Sequence, residues 1–138
     1  MELTFYKRFN AKPEPLTKEK LIAATTSAET ARLIAAFRKG DADAKLHLPA
    51  VSWQCAGFKN GVRKNADAVP NGLFALDIDD VSQQNLAGIT TPRQLFESFE
   101  PRIDELDIVC VHQTPSADGL RVVALCQPQY ATLADNQA

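Results

Sequence analysis

The stretch GLFALDIDDV, residues 72–81, is an apolar run that ends in three carboxylates within four residues: Asp77, Asp79 and Asp80. A run this short, opened by Gly72 and closed by acids, predicts a strand covered on both faces. Like charges this close repel, and taking them out of water is costly unless cations or donors compensate. Side chains alternate along a strand, so Asp77 and Asp79 are expected on one face. Asp80 is expected to point away and to cap the following turn or hydrogen-bond its backbone. Two carboxylates on one face, roughly 7 Å apart along the backbone, suit Mg²⁺ or Mn²⁺, with substrate phosphates usually completing the shell. An isolated D-x-D at a strand end also occurs without any metal.

The residues that follow set the topology. Thr91, Pro92 and Gln94 supply an N-cap, a first-turn proline and a capping box. They are expected to open a helix through RQLFESFEPRIDEL (93–106), which Pro101 is expected to interrupt or divide. DIVCVHQ (107–113) reads as a second buried strand, TPSADG as a turn, and LRVVALC (120–126) as a third strand. Strand, helix, strand, turn, strand is a βαβ crossover with an added antiparallel strand, similar to half of an RRM-like or ferredoxin-like sheet. The expected fold class is α/β (α+β): an RRM-like βαββ unit with an N-terminal strand-and-helix portion. The two crossover strands are expected to be parallel and adjacent, which would set the end of 107–113 beside Asp77 and Asp79.

The hairpin turn then falls at the same edge. Gly119 lets backbone approach a ligand closely, and turn N–H groups near Ser116 can form an anion nest. Arg121 is one cation in an otherwise apolar strand. A guanidinium there needs an acceptor: a phosphate suits its forked donors, and a structural salt bridge with Asp77 is the alternative.

Upstream, ELTFYKRF (2–9) predicts a first strand, broken off by Pro13 and Pro15. Thr17 is expected to cap a helix through KEKLIAAT, and Thr26 with Glu29 to form a capping box for TARLIAAFRKG. Leu33, Ile34 and Phe37 share a face of that helix, and Gly40 is its expected stop. VSWQCAGF (51–58) suggests another strand, whose Trp53 and Phe58 either stack bases or fill core. Residues 59–72 read as a turn-rich loop carrying Lys59, Arg63 and Lys64. Leading into the Asp77 strand, these cations are expected either to contact a nucleic-acid template or triphosphate, or to remain a solvated face. His47 and His112 belong to no metal-binding pattern. His112, near its strand end, is expected to be a packed or hydrogen-bonded histidine, with a place facing the same cleft as the acids as the alternative.

With 138 residues, 45% of them hydrophobic and 23% charged, the chain has the composition of one ordinary globular domain. Its net charge of −2 gives no global basic field, so any anionic partner must be held by a local patch. Cys55, Cys110 and Cys126, odd in number and without C-x-x-C spacing, argue against a disulfide framework and a zinc site. The N-terminus lacks the apolar core of a signal peptide, and no apolar run is long enough to span a bilayer. A cytoplasmic protein without a membrane partner is expected.

Taken in order, LPAVSWQCAGF, NGLFALDIDDV and TPSADGLRVV make residues 45–126 resemble the N-terminal domain family of VirE-type primase–helicase proteins of bacterial mobile elements. That family looks like a branch of the archaeo-eukaryotic primase–polymerase superfamily. The resemblance implies DNA replication and nucleotidyl transfer, with Asp77 and Asp79 as catalytic metal ligands for Mg²⁺ or Mn²⁺. It implies nucleotide-phosphate contacts where the superfamily has a small-x-His motif. Here Gly119-Leu120-Arg121 stands in that place, keeping a cation in a different geometry, with Ser116 nearby. Its implied partners are nucleoside triphosphates, single-stranded DNA or a primer-template, and a helicase domain. A third acid on a later strand belongs to the superfamily pattern, and Asp135 in the polar tail is a poor candidate for it. The expectation is therefore a single primase–polymerase-like domain, 1–138, whose third acid either lies beyond a C-terminal truncation or is absent because the domain is degenerate.

Two other readings fit parts of the pattern. A binding module that keeps the primase-like sheet without chemistry would suit the Arg in place of His and the missing third acid. DIDDV is also similar to the D-x-D-x-[TV] motif of haloacid-dehalogenase-type phosphatases, in which Asp77 would be the nucleophile and Asp79 the acid/base. That motif normally opens its domain, whereas here it sits mid-chain without a distal acidic pair.

Overall fold

A computed structural model describes residues 2–126, which form two compact units: residues 2–73 with Cys126, and residues 74–125. The chain is of mixed α/β class, with helices and antiparallel sheets.

The first unit is built on β1 (Thr4–Tyr6), the middle strand of a three-stranded antiparallel sheet. Its edges are β2 (Glu14–Pro15) and β3 (Ala50–Ser52). Being central, β1 buries three successive residues, Thr4, Phe5 and Tyr6. Pro15, expected only to break the first strand, instead sits on the short edge strand, where a missing N–H costs least. α1 (Lys18–Thr26) starts at Thr17, whose hydroxyl accepts from Lys20 N–H.

The cap of α2 (Ala28–Arg38) differs from expectation by one residue. Thr26 ends α1 with its hydroxyl bonded to the Ile22 carbonyl, so Ser27 accepts from Thr30 N–H instead. Glu29, freed from a capping box, pairs with Arg32. Gly40, at φ 103, stops the helix in the left-handed conformation that glycine tolerates. Leu33 packs with Ala44 of α3 (Ala44–His47) and with Leu48, joined by Ile34 and Phe37.

The strand expected over 51–58 is two strands. β3 ends at Ser52, Trp53 and Gln54 turn the chain, and β4 (Cys55–Phe58) pairs with β5 (Ala68–Pro70) in a separate ribbon. Residues 59–72 therefore include a strand, and the connecting loop is 59–67. Phe58 packs against Cys55 and Ala68, the core option of the two considered for it.

β6 (Leu73–Ile78) leads into the second unit, whose sheet has the order β6-β8-β7. β7 (Ile108–Gln113) and β8 (Leu120–Leu125) form the expected hairpin, with His112 opposite Arg121. β8 also runs antiparallel to β6: Arg121 meets Asp77, and Val81 N–H donates to the Asp118 carbonyl. The expected adjacency of the 107–113 strand to the Asp77 strand is therefore corrected. The crossover leaves a gap one strand wide, and the apolar β8 fills it, satisfying backbone groups along both edges.

α4 (Pro92–Phe99) begins with the full capping box of Thr91 and Gln94, and Pro101 lies in the tight 3₁₀ turn (Glu100–Arg102) that follows. Val81, Pro92, Leu120 and Val123 are buried in this unit. The expected burial of β6 on both faces is corrected: only Leu73 is buried, Phe74 and Ala75 are half-buried, and Leu76 is 46% exposed. The polar tail and Asp135 lie outside the described residues.

Candidate functional site

The candidate site grows from the last turn of β6. Asp77 lies on the strand and Asp79 just past its end. Arg121 on the neighbouring β8 reaches Asp77 with two parallel bonds, Nε to Oδ1 at 2.6 Å and Nη2 to Oδ2 at 2.7 Å. This forked geometry is the strongest ion pairing a carboxylate makes with a side chain. Its hydrogen bonds to Asp77 hold the Arg121 guanidinium above the ordinary arginine range; partial burial opposes them, and the charges of Asp77 and Asp79 add to them.

Directly opposed residues of an antiparallel pair share a face. His112 therefore shares the face of Arg121, whose guanidinium reaches Asp77 on the strand at its other side. His112 Nδ1 lies 3.2 Å from the Gln113 carbonyl. Sequence reasoning named these residues and missed their order: the guanidinium sits between the acid and the histidine.

One step further along, the turn 114–119 closes on the strand end. Thr114 N–H donates to the Gly119 carbonyl and Ala117 N–H to the Thr114 carbonyl, so two turn amides serve the turn itself. A Cβ on Gly119 would lie 2.7 Å from Thr114 Oγ1, 2.8 Å from the Ile78 carbonyl oxygen and 3.1 Å from Asp79 Oδ1. Gly119 is thus required by close approach, which is what brings the turn against Asp79. Thr114 Oγ1 is 2.9 Å from Ser116 Oγ, a hydroxyl pair of which only Ser116 was foreseen.

Asp80 departs from its expected role. It adopts φ 51 and makes no side-chain cap bond to the turn that follows. Asp118, from the hairpin turn, does this work: its carboxylate accepts from Ser82 N–H at 3.0 Å and from Ser82 Oγ at 2.5 Å. Nothing local marks Asp118 for this, because its partner lies on another segment.

Lys59, Arg63 and Lys64 are exposed on the β4–β5 loop of the first unit. Arg63 sets its guanidinium carbon over the rings of Tyr6 and Phe9, two residues that sequence reasoning did not single out. The interleaving of aromatic and basic residues in Tyr6-Lys7-Arg8-Phe9 was the available signal.

No family model, curated protein or solved structure matches this chain. No helix of the described residues is long and apolar enough to cross a membrane.

Hard carboxylate oxygens are the donors that Mg²⁺ and Mn²⁺ prefer. Asp79 offers such oxygens, whereas both oxygens of Asp77 already face a guanidinium. Among the described residues no group of three or more His, Cys, Asp or Glu side chains is gathered to hold a metal ion, and Asp77 is engaged by Arg121 rather than open beside Asp79.

Proposed function

We propose that this chain is a primase–polymerase-like domain of a mobile-element DNA replication protein, as its resemblance to the VirE-type family implies. Asp77 and Asp79 hold Mg²⁺ or Mn²⁺, which when bound stabilises charge on nucleotide phosphates. Arg121, Ser116 and Gly119 surround the phosphates of a nucleoside triphosphate, on a primer-template or single-stranded DNA that a helicase domain supplies. The split strand order, with β8 between β6 and β7, supports the RRM-like reading of residues 73–125.

The observation that carries this reading is the Arg121–Asp77 contact. It puts the guanidinium on the same face as the acid and within side-chain reach. A triphosphate offers Arg121 more negative charge than one carboxylate, so the nucleotide draws the guanidinium off Asp77 and leaves both aspartates to the cation. Primer extension with Mn²⁺ or Mg²⁺ tests the proposal. Synthesis by the wild type and its loss in Asp77→Asn plus Asp79→Asn is the expected result.

The same contact favours one other reading, a non-catalytic module. If Arg121 stays on Asp77, the pair is a structural clasp and the chain binds nucleic acid without chemistry. Absence of synthesis by the wild type, with DNA binding intact, is the outcome that selects this reading.

A further inference from the structure

The first unit carries a second feature that the acid site does not use. Arg63 lies with its guanidinium carbon 4.9 Å from the Tyr6 ring centre and 5.7 Å from that of Phe9. Tyr6 is fully buried beneath it, while Phe9 is 53% exposed. Among the described residues Arg63 is exposed and makes no hydrogen bond or ion pair, so its donors are open to a ligand while its carbon lies over the two rings.

Both sides of this platform are held by backbone. Phe9 N–H donates to the Leu46 carbonyl at 3.0 Å, and Ala11 N–H to the Arg8 carbonyl at 3.0 Å. The loop bearing Arg63 is closed by Lys59 N–H to the Asp67 carbonyl, Gly61 N–H to the Phe58 carbonyl, and Asn60 Nδ2 to Asp67 Oδ1. Arg8 and Lys64, next in the chain to Phe9 and Arg63, are exposed cations.

A stacked guanidinium that only sealed Tyr6 would need neither an exposed phenyl ring at its side nor flanking cations. An exposed aromatic ring, a planar cation over it with open donors, and exposed cations next to each in the chain match one ligand chemistry. That chemistry is an unpaired base with its phosphates on either side. We infer that Phe9 and Arg63 form a base-stacking platform for single-stranded nucleic acid, with Arg8 and Lys64 on the flanking phosphates. This rests on the reading that the chain handles nucleic acid, and it names the surface and the mode of contact.

The test is fluorescence anisotropy of the full chain with a short oligothymidylate and with an abasic oligomer of equal length. Wild type is expected to prefer the oligothymidylate. Phe9→Ala, an exposed position, is expected to lower that affinity roughly 5- to 150-fold and to leave the abasic oligomer unaffected. Arg63→Lys keeps the charge and loses the plane, so it should weaken oligothymidylate binding with little change in salt dependence. Arg63→Ala should weaken both oligomers and flatten the logarithmic salt slope by about 0.7. Equal binding of the two oligomers, no binding of either, or wild-type affinity in Phe9→Ala and Arg63→Lys would each overturn the inference. A failure of the metal and nucleotide proposal would appear in primer extension and leave these affinities in place.

Discussion

Arg121 and Asp77 face each other across the β6–β8 pair and share two hydrogen bonds of 2.6 and 2.7 Å. One guanidinium thus occupies the carboxylate that the D-x-D pattern would offer to a metal. The side chains remain 33% and 45% exposed, so the pair is screened and can exchange partners. The contact can be a clasp or a switch, and the two differ in what its removal does.

Arg121→Gln is expected to raise Mn²⁺ affinity about tenfold in the absence of nucleotide, because a positive charge beside a carboxylate competes with any other cation there. It should also weaken binding of a nucleoside triphosphate, while stability falls by about 1 kcal/mol or less for so exposed a pair. Isothermal titration calorimetry with Mn²⁺ alone and then with triphosphate reads both effects. Unchanged Mn²⁺ binding would assign Arg121 and Asp77 a purely structural role.

Gly119→Ala tests the geometry beside Asp79. The added methyl meets the Ile78 backbone carbonyl at 2.8 Å as well as the Thr114 hydroxyl at 2.7 Å, and a strand backbone cannot swing aside as a side chain can. A loss of about 1–3 kcal/mol is expected from such overpacking. Urea unfolding measures it, and a wild-type midpoint would mean the turn is free to lift away from the strand.

Thr91→Ala removes the hydroxyl that accepts from Gln94 N–H at 3.2 Å at the start of α4. Gln94 Oε1 still accepts from Thr90 N–H and Thr91 N–H, so half of the cap survives. A cost of about 1 kcal/mol is expected, read as a lower urea midpoint with an unchanged slope.

These elements differ in how far the sequence announces them. The cap of α4, the Gly40 stop and the 108–125 hairpin follow from signals a few residues apart, which act on the backbone directly. Position 26 misled because Thr26 and Ser27 are both competent caps, and the choice between them depends on where α1 ends. The place of β8 between β6 and β7 is a matter of which distant edge is filled, and no local pattern encodes that. The site divides in the same way. The residue types Asp77, Asp79, Ser116, Gly119 and Arg121 were legible, whereas the seating of Arg121 on Asp77 and the use of Asp118 as a cap depend on register between segments. Phe9 was hidden by its placement at the end of a presumed strand, where an aromatic residue reads as core.

The first unit carries a pH dependence of its own. Burial raises the Cys55 thiol and the Tyr6 phenol above their ordinary values, and the nearby Arg63 charge pulls each partly back. The fold therefore holds both groups protonated, while the unfolded chain releases their protons at ordinary thiol and phenol values. Unfolding then releases protons once the pH reaches those values, so stability is full below them and falls as the pH climbs toward the raised folded values. Urea midpoints are expected to hold steady near neutrality and to drop between about pH 8 and 10. Cys55→Ala should make the first part of that drop shallower, even if it lowers the neutral midpoint by leaving a small cavity against Ala68 and Phe58. A profile for Cys55→Ala that parallels the wild type throughout would show that the buried thiol is not what the alkaline range titrates.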